Sequence, residues 1–363
     1  VNRETSLYLD VIRFLAAIAV FLDHVSAQRL TGGLFWQAGP FGPEAVLVFF
    51  VLSGFVIGYV TDTRERRPAG YVIARTARIY SVALPALIVT FVLDGLGLVA
   101  RPDLYSEAWG YQPDGRVWQF FTGLTFTNQL WSLDVHQGSN LSYWSLGYEV
   151  PYYIIFGIAL FAAPRWRLAG ILAVLVVVGP RIASLFPLWL LGVAAYYICA
   201  RYPIPRRGGM VLCFGAAAAW IGYEALAWRA RGSIGVHPRL MGLPTLLDAY
   251  LVASLFALHL IGFQAVSPLV APVLKRFARP IRWTAGATFS LYLFHMPVAQ
   301  FIASVVPWAP SSTLTRLLVF GGTIAIVFLL AELTERRKEI WRACFEMLFR
   351  QATIGWHRVR SAG

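Results

Sequence analysis

The chain has 363 residues, 58% of them hydrophobic and only 13% charged, and its mean hydropathy is +0.62. Soluble domains carry about 25% charged residues, so this composition excludes an ordinary soluble globule and places most of the chain in a bilayer. The formal net charge of +13 would suit a nucleic-acid partner, but its distribution along the chain argues against one.

Residues 8–26, YLDVIRFLAAIAVFLDHVS, read as the first transmembrane helix, interrupted by Asp10, Arg13, Asp23 and His24. The apolar run is too long and too interrupted for a cleavable signal peptide, so it is expected to stay as a signal-anchor. A charge in hydrocarbon costs at least about 2.5–3.5 kcal/mol, so these side chains should face protein or water. Arg13 and His24 are eleven residues apart, close to three turns, and share one helical face. That face carries a fixed cation near one end and a titratable base near the other. A snorkelling Arg13 with a capped interfacial His24 fits the same pattern. Asp23 points about 100° away from its neighbour and cannot readily orient it.

The second span, 44–61, contains FFVLSGFVIG, where Ser53, Gly54 and Gly58 let another helix or a ligand approach the backbone closely. Plain helix packing is the favoured reading. Arg64, Arg66 and Arg67 follow, then Arg75 and Arg78 at an i,i+3 spacing by the inner mouth of the third span, 79–100. Two arginines on one face can fork a phosphate bidentately, which lysines do poorly. Lys275 and Lys338 are the only lysines in the chain. Positive-inside bias also explains basic residues here.

Loop 101–141 carries Asp103, Glu107, Asp114 and Asp134 with Trp109, Tyr111, Trp118 and Trp131 interleaved, either an interfacial belt or a sugar-stacking surface. The fourth span, 142–162, opens with SYWSLGYEVPYY and sets Glu149 about two turns below the outer surface, near the expected depth of His24. A carboxylate there could fix the imidazole tautomer and leave the other nitrogen as a general base. Spans near 168–180, 183–200, 209–228, 244–263, 283–306 and 313–333 bring the count to ten. His295, in SLYLFHMP, and His259 read as helix–helix hydrogen-bonding residues rather than bases, and Asp94, Glu224 and Asp248 show no distinctive pattern. Residues 335–349 form an amphipathic helix suited to the inner leaflet. Cys199, Cys213 and Cys344 offer neither a disulfide framework nor metal-ligand spacing, so no metal is expected. Nor is there an internal repeat of the transporter kind.

Ten alternating spans gather 22 of the 31 basic residues on the side of both termini, against 8 on the other, with Arg13 inside the membrane. That side is therefore expected to be cytoplasmic. The charge is a topology signal whose partners are anionic lipids or a phosphorylated cofactor, not DNA. The predicted fold is an all-α integral membrane protein of about ten transmembrane helices with both termini cytoplasmic. Residues 1–335 form the membrane domain and 336–363 a basic amphipathic cytoplasmic tail.

Taken together, these residues resemble the acyltransferase-3 family of integral membrane acyltransferases. Arg13-x10-His24 is similar to its first-helix pair, FFVLSGF to its second-helix motif, and Arg75-x-x-Arg78 to its cytoplasmic arginine pair. Trp144-Ser145-Leu146 with Glu149 matches its WSL-x-x-E, and Ser290 to His295 a late-helix S-x-x-L-x-x-H-type motif. The resemblance runs from residue 7 to about 335. It departs at Val150, where the family often has a second acidic residue, and at Pro43-Glu44 before the second span. With no hydrolase-like domain after the last span, the chain resembles the family's stand-alone form.

The resemblance implies a bacterial inner-membrane enzyme that moves an acyl group, usually acetyl, from cytoplasmic acyl-CoA to a hydroxyl of an extracytoplasmic glycan or glycolipid. It implies His24, Glu149 and Arg13 as catalytic residues and Arg75, Arg78 and Arg13 as donor-binding ones. Asp23, Ser53, Trp144, Ser145, Ser290 and His295 are the supporting positions. Direct transfer and an acyl-histidine intermediate both remain open. The competing reading is a transporter or flippase for a glycosylated or acidic lipid, which would use intramembrane charges equally well.

Overall fold

The computed structural model describes residues 2–234 and 246–361. The first two residues of the expected span 244–263 and the last two of the expected tail lie outside the described residues. In chain order the helices are α1 (Arg3–Val25), α2 (Gln28–Thr31), α3 (Phe41–Thr63), α4 (Pro68–Ala100) and α5 (Arg116–Thr125). Then come α6 (Leu146–Phe161), α7 (Pro164–Val178), α8 (Pro180–Arg201), α9 (Arg206–Ile234) and α10 (Leu246–Arg276). The last are α11 (Ala278–Ala285), α12 (Thr288–Val305), α13 (Thr313–Leu317), α14 (Thr323–Leu333) and α15 (Lys338–Ser361). A five-residue π-helical turn, Leu318–Gly322, joins α13 to α14.

The all-helical expectation holds, but among the described residues eight helices, not ten, are long and apolar enough to cross a membrane. The shortfall is α6 and α7, of 16 and 15 residues. At 1.5 Å per residue they reach roughly 22–24 Å, short of a hydrocarbon core about 30 Å thick. They pack on each other as a hairpin across the two residues Ala162 and Ala163.

The chain divides into two compact units. The first comprises Val1–Gln28, Gly32–Arg64 and Arg181–Thr288. Here α1 packs on α3, α10 and α11, and α9 packs along α10. Small residues set the close approaches. A Cβ on Gly54 would overlap the Trp189 carbonyl oxygen, and one on Gly192 would overlap that of Val51, so α3 and α8 meet backbone to backbone. Gly58 faces the Tyr196 ring across the same seam. The Ser-Gly-x-x-x-Gly stretch of the second span is thus a packing surface.

The second unit comprises Arg29–Thr31, Glu65–Pro180 and Phe289–Gly363. Its spine is α4, whose 33 residues begin with Pro68 in the first turn, where a missing N–H costs nothing. The helix starts earlier than the apolar pattern suggested and takes Arg75 and Arg78 into its second and third turns. α15 lies along its first half, with Phe345, Leu348 and Phe349 against Val72, Ile73 and Thr76.

The sequence reading of 101–141 as a surface loop needs correction. Residues 119–145 pack against α4, where Gln119, Thr122, Asn128, Gln129, Gln137, Ser139, Asn140, Ser142 and Ser145 are all buried. Non-helical backbone at membrane depth survives only where protein groups satisfy it. Asp94, fully buried, does so by accepting from the Ser139 N–H at 2.8 Å and the Ser139 hydroxyl at 2.5 Å. Asn140 donates to the Thr90 hydroxyl at 3.2 Å and to the Leu293 carbonyl at 2.8 Å.

Replacing Gly54 or Gly192 with Ala puts a methyl group into a backbone-to-backbone seam. Each substitution should destabilise the protein by about 1–3 kcal/mol or more, read as a lower melting temperature in detergent. Gly215, which has open space where a Cβ would go, is the matched control.

Candidate active site

In the first unit the polar face of α1 is held from both ends. Asp10 is buried and pairs with Arg282 of α11 and, at 3.8 Å, with Arg13 one turn along its own helix. Arg282 also donates to the Ser6 hydroxyl at 2.9 Å, closing a clamp on the first two turns. The intramembrane Arg13 is therefore half-buried beside a carboxylate, which lowers the cost of its charge. Near the C-terminal end, the Asp23 carboxylate fills the space left by Gly39 and Gly42 as the chain turns into α3. A helix N-terminus favours an anion there. His24 sits half-buried in the last turn of α1, on the Arg13 face. Ser53, also in this unit, accepts the Trp189 indole N–H at 3.2 Å, which gives it a packing role.

The second unit gathers a different set. Arg75 is 9% exposed and donates through Nη2 to Glu65 at 2.7 Å, while its Nε and Nη1 are buried and meet no acceptor among the described residues. Its guanidinium carbon lies 5.9 Å from the Tyr71 ring and 5.8 Å from the Tyr153 ring. Arg78, half-buried one turn along α4, lies in the field of Tyr153, Glu149, Glu335 and Glu65. The Tyr153 hydroxyl donates to Glu149, one turn away in α6.

Glu335 closes the cluster by accepting from the Ser290 N–H at 2.9 Å and the Ser290 hydroxyl at 3.1 Å. Tyr292 donates to the Ser145 hydroxyl at 2.9 Å, so two motifs far apart in sequence meet directly. Trp144 stands edge-on to Tyr148 with ring centres 5.2 Å apart. His295 is fully buried and its Nδ1 donates to the Leu291 carbonyl at 2.7 Å, leaving Nε2 as the acceptor in the neutral ring.

Arg75, Arg78, Glu149 and Ser290 are thus brought into one polar cluster, with Ser145 tied in through Tyr292. Glu65, Tyr71, Tyr153 and Glu335 belong to it as well, and the sequence reading missed all four. Tyr153 stood within the quoted SYWSLGYEVPYY stretch, and its i,i+4 spacing from Glu149 was the available signal. Glu335 and Glu65 gave none, since each looked like an ordinary charge flanking a span.

Two N–H donors on a buried guanidinium, with no acceptor among the described residues, suit phosphate oxygens. The residues present thus fit the phosphorylated end of a coenzyme A thioester.

Comparison with known proteins agrees with the motifs. Residues 6–332 match a family described as an acyltransferase domain. The chain belongs to the acyltransferase-3 family. A similar protein, "Acyltransferase MdmB" of Streptomyces mycarofaciens, is 29% identical over 195 residues, covering 49% of this chain and 47% of that protein. The chain thus spans about half the length of the relative it matches. No solved structure matches. As an acyltransferase-3 chain it is a multi-pass membrane protein, and the family implies an acyl donor.

The Tyr153–Glu149 bond can be tested by stability alone. Tyr153→Phe keeps the ring but leaves a half-buried carboxylate one donor short, so it should destabilise by about 1–2 kcal/mol. In a Tyr153→Phe/Glu149→Gln double-mutant cycle the two losses should not add, because the pair shares one bond. Additive losses in melting experiments would show the two residues acting independently.

Proposed function

We propose that this protein is a membrane O-acyltransferase that moves an acyl group from cytoplasmic acyl-CoA to a hydroxyl of an extracytoplasmic glycan or glycolipid in a bacterial inner membrane. The observation that carries the reading is Arg75, a buried guanidinium with two unpartnered donors inside a family domain whose chemistry requires an acyl donor. Arg75 and Arg78 bind donor phosphates, Arg75 by charge-assisted hydrogen bonds and Arg78 chiefly by field. Glu65 holds one edge of the Arg75 guanidinium and so fixes which edge faces the phosphate.

His24 is the base. It takes the proton of the acceptor hydroxyl while that oxygen bonds to the thioester carbonyl carbon. As the carbon–sulfur bond breaks, His24 returns the proton to the departing thiolate. Arg13, held by Asp10, stabilises negative charge that develops on the carbonyl oxygen. Glu149 is the catalytic carboxylate that the resemblance at WSL-x-x-E implies.

Purified protein given acetyl-CoA should release free thiol, slowly without an acceptor and faster with one. A transporter would leave the thioester intact. His24→Ala should abolish release while the protein still reaches the membrane. Arg75→Ala/Arg78→Ala should raise the donor KM at least about tenfold and keep most of kcat, since a phosphate contact stabilises ground and transition states alike. Normal turnover by a folded His24→Ala protein would remove the base from this scheme.

The orientation is testable separately. Single cysteines at exposed Glu107 and exposed Arg66, in a background lacking Cys199, Cys213 and Cys344, report on the two faces. An impermeant thiol reagent should label position 107 in intact cells and position 66 only after lysis. The reverse pattern would place the donor arginines away from acyl-CoA and defeat the scheme.

A further inference from the structure

The second unit contains another guanidinium with buried donors, one that the scheme above does not use. Arg29 lies in the short helix α2, and its guanidinium carbon sits 4.0 Å above the Trp109 ring. That ring is fixed. Its indole N–H donates to the Leu104 carbonyl at 3.0 Å, and its ring packs against Tyr111, which in turn packs against Tyr105. The Leu104 carbonyl is further held by Gln300 at 2.8 Å. A second arginine, Arg316, donates to the carbonyl of Thr31, two residues along, at 2.9 Å.

The Nε and Nη2 atoms of Arg29 are buried, and no acceptor among the described residues meets them. Those two donors form one edge of a guanidinium, the fork that meets a carboxylate or phosphate with two parallel bonds. Among the described residues no carboxylate is seen to compensate the charge, and burial pulls the guanidinium down to about 10. Removing part of a charge from water without a counter-charge is costly, and native structures keep such a group where it has work to do. The ring beneath it, Trp109, is one of the aromatics that the sequence left open between membrane belt and sugar platform, and here it backs the guanidinium.

We propose that Arg29, backed by Trp109, is an anion subsite for the acceptor, which would carry a carboxylate or a phosphate ester on its glycan. The inference rests on the acyl-transfer reading only for calling the ligand an acceptor. Binding itself is measured without acyl donor, so a failure here leaves that reading to be judged on His24.

The test uses the full chain in detergent, in an Arg75→Ala background so that the donor arginine cannot report. Melting temperature is followed against D-glucuronate, glucose 6-phosphate and neutral glucose. One or both anions should stabilise the protein where glucose does not, and which of them does so identifies the charged group. Arg29→Gln should weaken that response at least about tenfold, the loss expected for a charge-assisted bidentate contact. Without ligand, Arg29→Gln should melt at or above the parent temperature, because it removes an uncompensated charge. A lower melting temperature would mark Arg29 as structural and overturn the proposal. So would an anion response that survives Arg29→Gln, or one no larger than that to glucose. If Arg29→Gln does not fold, Arg29→Lys decides. Lysine keeps the charge without the fork, so the anion response should fall several-fold, and an unchanged response overturns the proposal.

Discussion

The second unit depends on satisfying a stretch of non-helical backbone inside a membrane protein. Residues 126–142 have no helical ladder of their own, and hydrocarbon offers them no partner. Their groups are met by turns of the backbone and by side chains. Thr127 and Trp131 donate their N–H groups to the Thr122 and Val178 carbonyls, and the Gln119 amide oxygen accepts the Gly138 N–H. Asn128 donates to Gln137 at 3.2 Å. Asp94 and Thr90 hold Ser139 and Asn140 to α4. Phe126 and Trp131 take left-handed φ values of +57° and +53°, uncommon for bulky residues and held here by the packing around them. The segment leads into Trp144-Ser145, so this network fixes where α6 begins and where Glu149 points.

The cluster at the start of α6 follows from that placement. Because α6 begins among buried residues, its first turn meets α4, and Glu149 comes into the field of Arg78. Three carboxylates, Glu65, Glu149 and Glu335, then surround two guanidiniums. Such a cluster tolerates burial only if its members are bonded, and the structure supplies Tyr153, Ser290 and Tyr292 for that purpose. Added phosphate charge would find donors already oriented, with little side-chain reorganisation left to do.

The long helices were legible because twenty-odd apolar residues in a row have few other physical solutions. The α6–α7 pair was not, because hydropathy cannot tell a short helix fed by buried irregular backbone from a full crossing. Residues 142–162 look apolar enough to span, yet the polar groups that make the crossing irregular, Gln119 to Asn140, lie outside that window and read as an exposed loop. The site divides in the same way. Arg75 and Arg78 stood out through their i,i+3 spacing. Glu65 and Glu335 become significant only when folding places them beside those arginines, 10 and 257 residues away from Arg75 and Arg78 respectively, and no local pattern encodes that. Asp10 shows the same limit: it was read as one more charge on α1, whereas its meaning lies in Arg282, 272 residues on.

The arginines of this protein also sort by what they are paired with. Arg282 and Arg101 have carboxylate partners; Arg282 ties α11 to α1, while Arg101 closes a local pair with Asp103. Arg316 ties through a backbone carbonyl. Arg75 reaches Glu65 through Nη2 alone, and Arg29 meets no acceptor among the described residues, although two donors of each are buried. A fold selected for stability alone would bond or replace such donors, since a buried polar group left unsatisfied is among the larger single losses available to it. Both guanidiniums lean on aromatic rings, Arg75 near Tyr71 and Tyr153 and Arg29 on Trp109. A ring face repays part of the desolvation, by about 0.5–2 kcal/mol, without occupying an N–H. That arrangement holds a cation in place while keeping its hydrogen-bonding edge available, as recognition of an oxyanion requires.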